Sequence, residues 1–380
     1  MEPIYFDHAA TTRVLPEAAQ AALRAMTEEY GNPSSLYALG TRAAKALADH
    51  REAVAQALGC QAGEVIFTSG GTEGDNWAIS LAAHLGRHRG KHIITTAVEH
   101  AAVLEPCKAL EAQGYQVTYL TPGPDGRVKV ADLEAALRPD TVLVSMMLVN
   151  NETGAIQPVK EAGQVLRRCR SQALLHTDAI QGFLKIPFTP KALGVDLLTV
   201  SGHKIGAMKG SGALYLRAGL RAVPLLRGGG QEKGLRSGTE PTPQIAALAA
   251  ACTLGKAALE DHQTSLTHLK TYALAAFQKA VPGLVVVAAG DAPHICAISL
   301  PGYPSQVVVR WLSDQGFCLS AGSACHRGQA SHVYAAMGLS KPVRDGMLRV
   351  SFGPENTQEE VDRLAQALGT ATQVLLPAGR

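Results

Sequence analysis

The 380-residue sequence has no C-x-x-C pair, and its seven cysteines, at 60, 107, 169, 252, 296, 318 and 325, are odd in number. That excludes a disulfide framework and a paired-cysteine zinc site, so no metal is expected and most of the thiols should be buried and inert. No apolar run approaches the ~20 residues that span a bilayer, and the opening "MEPIYFDHAATT" lacks the basic-then-apolar layout of a secretory leader. A cytoplasmic chain with no membrane partner is the expectation. Charge of one sign is missing too: 35 basic and 32 acidic residues are spread along the chain for a net charge of +3, so no patch or tail invites nucleic acid. Repeats, low-complexity segments and glycine-serine linkers are absent. Absent as well are G-x-S-x-G, G-x-x-x-x-G-K-[ST], H-E-x-x-H and G-x-G-x-x-G. Serine hydrolase, P-loop, zincin and dinucleotide-binding chemistries thereby lose their anchors.

Short β-branched runs alternate with amphipathic stretches: "EVIFTSG", "KHIITTA", "YQVTYL", "TVLVSMMLV", "ALLHTDA", "VDLLTVSG" and "SGALYLR". Strands separated by helices at this spacing predict an α/β fold with a mostly parallel sheet, whose ligands bind beyond the carboxyl ends of the strands. From about Pro241 a long helical stretch leads into fewer, more varied elements, "LVVVAAG", "ICAISL", a helix at 305 to 315, "GFCLSAG" and "MLRVSFG". This pattern predicts a large domain over residues 1–253 and a smaller α+β domain over 254–380, with the extreme N-terminal segment packing on the latter.

The predicted strand ends carry the chemistry. After "EVIFT" comes "SGGTEGDNW", where Gly71 permits close backbone approach and Thr72 stands at a helix start whose free N–H groups suit a phosphate; a simple capped helix is the alternative. After "ALLH" comes Asp178, a carboxylate that needs a cation or several donors, or else caps a helix, with Gln181 three residues on. After "VDLLTV" comes Ser201-Gly-His203-Lys204, where a desolvated lysine would lose its charge readily and become a nucleophile towards carbonyls. A phosphate cradle, a buried carboxylate and a reactive amine together match pyridoxal phosphate, which needs a phosphate site, an acid against its ring nitrogen and a lysine for its aldehyde.

Near the C-terminus, "LSAGSACHRGQASH" sets Cys325 beside His326 and Arg327, an electropositive neighbourhood expected to favour the thiolate. A loop cysteine without a role is the plainer alternative. Arg349, in "LRVSFG", either grips a substrate carboxylate or pairs with an acid of the fold.

In order along the chain, "YFDHAATTR", "GNPSSLYALG", "FTSGGTEGDN", "EHAAVLEP", "VNNETGAIQPV", "HTDAIQ", "SGHKIGAMKGSGALY", "GGGQEKGLRSGT", "SAGSAC" and "RVSFG" resemble the motif series of the cysteine desulfurases. These are class V aminotransferases of fold type I, and the resemblance implies a seven-stranded-type sheet flanked by helices. It also implies that Lys204 anchors pyridoxal phosphate and serves as a base, that Asp178 partners the ring nitrogen and Gln181 the ring hydroxyl, and that His100 stacks on the ring and shuttles protons. By the same resemblance Gly71, Thr72, Ser201 and His203 hold the phosphate, Thr239 reaches in from a second subunit, and Asn151 touches the cofactor edge. Asn32 and Arg349 would hold the carboxylate of L-cysteine, and Cys325 would accept its sulfur as a persulfide, leaving alanine. A homodimer and a sulfur-acceptor protein, an iron-sulfur scaffold or a thiolation carrier, are the implied partners. The sequence departs from the family's usual wording at His8, where asparagine is common, and at "CHRG", where small hydroxyl residues often follow the cysteine. A selenocysteine lyase and a non-catalytic sulfur-transfer scaffold are the rival expectations.

Overall fold

The computed structural model describes residues 3–288, 290–322 and 331–377. Twelve strands are found there: β1 Ile4–Tyr5, β2 Val65–Thr68, β3 His92–Thr96, β4 Gln116–Leu120, β5 Thr141–Ser145, β6 Leu174–Asp178, β7 Leu197–Ser201, β8 Gly212–Leu216, β9 Val285–Ala288, β10 Ile295–Ser299, β11 Phe317–Cys318 and β12 Met347–Ser351. The expected seven-stranded sheet is present, in the order β2-β8-β7-β6-β5-β3-β4. Every pairing is parallel except those of β8, which runs antiparallel to both β2 and β7. Helices cover both faces, so the central strands β5, β6 and β7 are buried along their whole length. This accounts for their near-continuous apolar runs.

One large cluster joins this sheet to helices Pro16–Thr27, Ala38–Leu58 and Thr242–Ala257 through residues such as Leu58, Phe183 and Leu248. A second cluster, around Phe6, Phe277, Leu312, Leu348 and Leu368, closes the three-stranded antiparallel sheet β12-β10-β9 with helices Leu259–Ala280 and Gln358–Val374. The long helical stretch expected after Pro241 is two helices that meet at Ala258, and the packing partners change there. β1 pairs in parallel with β11, which ties the N-terminal segment to the smaller core. Of the six described cysteines only Cys107, Cys252 and Cys296 are buried, while Cys60 and Cys318 are intermediate and Cys169 is exposed. The expectation of mostly buried thiols thus holds for half of them.

Two glycines set the backbone beside the strand ends. Gly70 sits at φ 146°, a conformation closed to other residues, and delivers the chain from β2 into helix Gly71–Gly86. Gly212 pairs with Thr68 of β2 and Ser201 of β7, and a Cβ there would lie 2.7 Å from Gly70 Cα and 2.7 Å from the Val200 carbonyl oxygen. Both neighbours are backbone and cannot swing away. Gly212→Ala is therefore expected to destabilise the chain by about 1–3 kcal/mol, measured as a lower midpoint in urea unfolding; an unchanged midpoint would show that the strands spread without cost.

Candidate active site

The carboxyl ends of β6 and β7, the start of helix Gly71–Gly86 and the segments that follow β3 and β5 converge on one pocket of about 270 Å³. Ligands of an open α/β sheet are expected at this edge.

Lys204 reaches it from the single 3₁₀ turn Gly202–Lys204 that follows β7. Its Nζ donates to the carbonyl oxygens of Ala9 and Ala10, both at 2.7 Å. The amine is thus held on main-chain acceptors of the N-terminal segment and is not stranded among apolar side chains. That segment is itself locked over the end of β7: the Thr12 N–H and hydroxyl both donate to the His203 carbonyl at 2.9 Å, and Gly206 N–H donates to Thr12 Oγ1 at 2.8 Å.

Asp178 closes β6 and is 4% exposed. Its Oδ1 accepts from the Ile180 N–H at 2.9 Å. Burial pushes its carboxyl above the ordinary carboxylate range, opposed by the nearby His100, the Ile180 N–H and the Lys204 charge. Two residues back on the same strand face, His176 is wholly buried with Nδ1 2.8 Å from Ser145 Oγ and Nε2 3.1 Å from Thr199 Oγ1, and burial lowers its pKa to about 3. A neutral imidazole pinned between two hydroxyls fixes the strand end that carries Asp178. Gln181 lines the pocket and donates from Nε2 to the Ala9 carbonyl at 2.9 Å, so one of its two amide hydrogens is already used.

His100 caps helix Ala101–Glu111, its Nδ1 accepting from the Ala102 N–H at 3.1 Å. In the neutral ring that bond places the proton on Nε2. Asn151 also lines the pocket. The Asn151 carbonyl accepts from Arg349 Nη1 at 2.9 Å, while Arg349 Nη2 donates to Asp7 Oδ1 at 2.8 Å and Ser320 Oγ at 3.1 Å. Of the two sequence alternatives for Arg349, pairing with an acid of the fold is seen, and the residue also lines the pocket. Its buried Nε has no acceptor among the described residues. A guanidinium that lines a pocket suits an anion, and a substrate carboxylate has the matching planar geometry.

At the other end, Ser201, His203, Gly71 and Thr72 line both the pocket and an adjoining hollow of about 380 Å³ into which Lys209 also faces. Helix Gly71–Gly86 begins there with no side chain capping its first N–H groups. Burial and the charges of Lys204 and Lys209 lower the His203 pKa to about 4. Uncapped helix N–H groups, two hydroxyls and lysine charge form a site for a dianionic phosphate. These residues fit pyridoxal phosphate: phosphate donors at one end, a buried acid along the ring position and a primary amine between them.

Asn32 is exposed, its Oδ1 accepting from the Ser34 N–H at 2.9 Å, and it is not part of the pocket lining. Thr239, expected to reach a second subunit's site, is exposed. Cys325, His326 and Arg327 lie outside the described residues. Sequence reasoning missed Ala9 and Ala10, whose carbonyls receive Lys204, together with the apolar wall of Met147, Val149 and Ile180. "DHAATT" was a signal for the first pair, but nothing in it says that the contact is made by main-chain oxygen.

Comparison with known proteins agrees with this geometry. The aminotransferase class-V family profile matches residues 4–364. The cysteine desulfurase IscS of Methanosarcina thermophila is 40% identical over an alignment covering 98% of this chain and 92% of that relative. Among solved structures, a NifS-like protein superposes with a TM-score of 0.93 at 34% identity, covering 98% of this chain and all of the other. SspA in complex with cysteine superposes at 0.80 and 33% identity over 93% of this chain. A match over nearly the whole length, with the amine, the buried acid and the phosphate end in one pocket, leaves no room for a borrowed domain: the chain belongs to the aminotransferase class-V family and depends on pyridoxal phosphate.

Proposed function

We infer that this chain is a cysteine desulfurase, converting L-cysteine to L-alanine and passing the sulfur, through an enzyme persulfide, to an acceptor protein. The observation that carries the reading is a single pocket lined by Lys204, Asp178, Arg349 and the start of helix Gly71–Gly86. An amino acid whose carboxylate meets Arg349 would present its Cα towards Lys204. The names and bound molecule of similar proteins support the same substrate, since the M. thermophila relative is a cysteine desulfurase and SspA holds cysteine.

The roles follow from position. Gly71, Thr72, Ser201 and His203 would hold the cofactor phosphate, completed in a homodimer by Thr239 of the partner subunit. Asp178 would keep the ring nitrogen protonated, Gln181 would donate its remaining amide hydrogen to the ring hydroxyl, Asn151 would meet the cofactor edge and His100 would cover the ring face. When bound, pyridoxal phosphate takes up the electron pair released at the substrate Cα. Lys204 would take the proton from the substrate Cα and later return one, with His100 as a second proton carrier. Asn32 is assigned to the substrate carboxylate with Arg349; in the single chain it is exposed. The Cys325 thiolate attacks the substrate sulfur: an S–S bond forms, the Cβ–S bond breaks, and its electron pair leaves with the carbon skeleton, which is protonated to alanine. The balance is L-cysteine and a thiol in, alanine and a persulfide out, with no outside oxidant.

The test is to incubate the holoenzyme with sulfur-labelled L-cysteine, quantify alanine and map the label by peptide mass spectrometry. One alanine per label, with the label on the peptide containing Cys325, is the expected result. A keto acid product would return the chain to ordinary transamination. Faster turnover of L-selenocysteine with no sulfur left on the chain would establish the lyase alternative.

A further inference from the structure

Beside His100 stands a buried carboxyl with no part in the chemistry above. Glu99 is completely buried. Its Oε1 accepts from the Thr96 hydroxyl at 2.8 Å and from the Met147 N–H at 2.8 Å, while its Oε2 is buried with no partner among the described residues. Thr96 ends β3, Met147 follows β5 and lines the pocket, and the Glu99 carbonyl accepts from His332 Nε2 at 2.9 Å. One side chain thus fastens two adjacent strand ends one residue before His100, which lines the pocket.

We infer that Glu99 is a positioning residue that works as the neutral acid, binding Thr96 to Met147 one residue before His100 and leaving Asp178 to carry the negative charge of the pocket's deep wall. This rests on the pyridoxal phosphate pocket described above. The physical argument begins with the bare oxygen: an ionised carboxylate with one oxygen unsolvated is costly, whereas a proton on that oxygen removes the charge and leaves both bonds to Oε1 intact. The groups facing Glu99 reinforce this. Asp178 on β6 and Asp75 on helix Gly71–Gly86 are acidic, Cys107 lies on helix Ala101–Glu111, and the nearest imidazoles are His100 and His332. No lysine or arginine is among those acting on Glu99 within the described residues. Burial pushes the Glu99 pKa up to about 8, with the Met147 and Thr96 donors pulling down and Asp178 pushing up. Asp75, wholly buried with Oδ1 3.5 Å from His176 Nε2, is held well above the ordinary range by burial and then by Asp178, against the pull of the Thr199 hydroxyl. As pH rises through 8, Glu99 would ionise and place a second anion near Asp178. The added negative charge would raise the proton affinity of the groups around Asp178, and the cofactor absorbance would report it.

The experiment is a titration of the holoenzyme's cofactor absorbance between pH 6 and pH 10, with infrared difference spectra of wild type and Glu99→Gln at pH 7. Glutamine keeps an oxygen for Thr96 and Met147 but has no proton to lose. The expected result is a wild-type transition near pH 8 that is absent in Glu99→Gln, and loss of one protonated-carboxyl band in the variant. Thr96→Val, which removes a donor to the ionised form, is expected to move the transition upward by about one pH unit, and it reads the same point if Glu99→Gln fails to fold. A transition that persists unchanged in Glu99→Gln, one that does not move in Thr96→Val, or infrared spectra with no carboxyl band lost would each overturn the inference. None of these readouts needs L-cysteine, so they stand or fall separately from the desulfurase assignment.

Discussion

Replacing Lys204 with alanine is expected to lower alanine production by roughly 10²–10⁴-fold from lost proton transfer alone, and to abolish covalent retention of the cofactor altogether. In the wild type, borohydride treatment of the holoenzyme should fix the cofactor on the peptide containing Lys204; in Lys204→Ala it should wash out on gel filtration. The structure adds a second consequence. Lys204 Nζ is a donor shared by the Ala9 and Ala10 carbonyls, and Ala9 also receives Gln181 Nε2, so removal of the amine leaves the Ala10 oxygen without that bond. Water can enter the vacated pocket, so the loss should sit near the low end of the ~1–3 kcal/mol attached to an unsatisfied polar group. Lys204→Arg separates the two effects: it can bond to the carbonyls but cannot condense with an aldehyde at neutral pH. Folding stability restored without activity is the expected outcome for arginine. A Lys204→Ala enzyme that still holds the cofactor covalently would require another amine, and Lys204 would then be only a clamp on the N-terminal segment.

The sheet was legible because each strand is a short apolar run closed by a change of composition, and the site because the informative residues follow those closures: Asp178 ends β6 and Ser201 ends β7. The direction of β8 was harder to see. Alternation in "SGALYLR" does not encode polarity, yet only ten residues separate Ser201 from Gly212, too few for a crossover helix, and that spacing was the available sign of an antiparallel pair. Contacts between distant segments left no local trace. Nothing near Lys204 in sequence announces the carbonyls some 195 positions away, and nothing near Arg349 announces Asp7, 342 positions away. Protonation was equally hidden. Glu99 sits before His100 as an ordinary acid in a helix-start sequence, and only the enclosure by β3 and the segment after β5 makes its charge expensive. Sequence therefore located the chemistry, while its electrostatic state depends on tertiary burial.

Changing Asp178 to asparagine should separate activity from stability in opposite directions. The carboxylate would be the one group able to hold a proton on the cofactor's ring nitrogen, and an amide offers no net charge in its place, so alanine production is expected to fall by about 10²–10³-fold, the scale of losing one preorganised electrostatic partner. Folding of the cofactor-free chain should respond differently. Burial raises the Asp178 carboxyl above its ordinary value, so the folded state holds a proton that the unfolded chain releases, and stability contributed by that proton is present at low pH and declines as pH rises through the raised value. Asparagine has no such proton. The cofactor-free variant is therefore expected to be at least as stable as wild type at pH 7 to 8, with a flatter dependence of melting temperature on pH. Adding pyridoxal phosphate should reverse the order, since a ligand stabilises by its affinity for the folded state and the wild type alone supplies the matching charge. The decisive comparison is thus four melting curves, two proteins with and without cofactor. A variant stabilised by the cofactor as much as wild type would mean that the ring nitrogen draws nothing from Asp178, and the acid would have to be reassigned to holding Ile180 and the end of β6. A smaller cofactor shift, paired with a more stable apo-protein, would show that the chain keeps a costly buried carboxyl because binding of the cofactor offsets it.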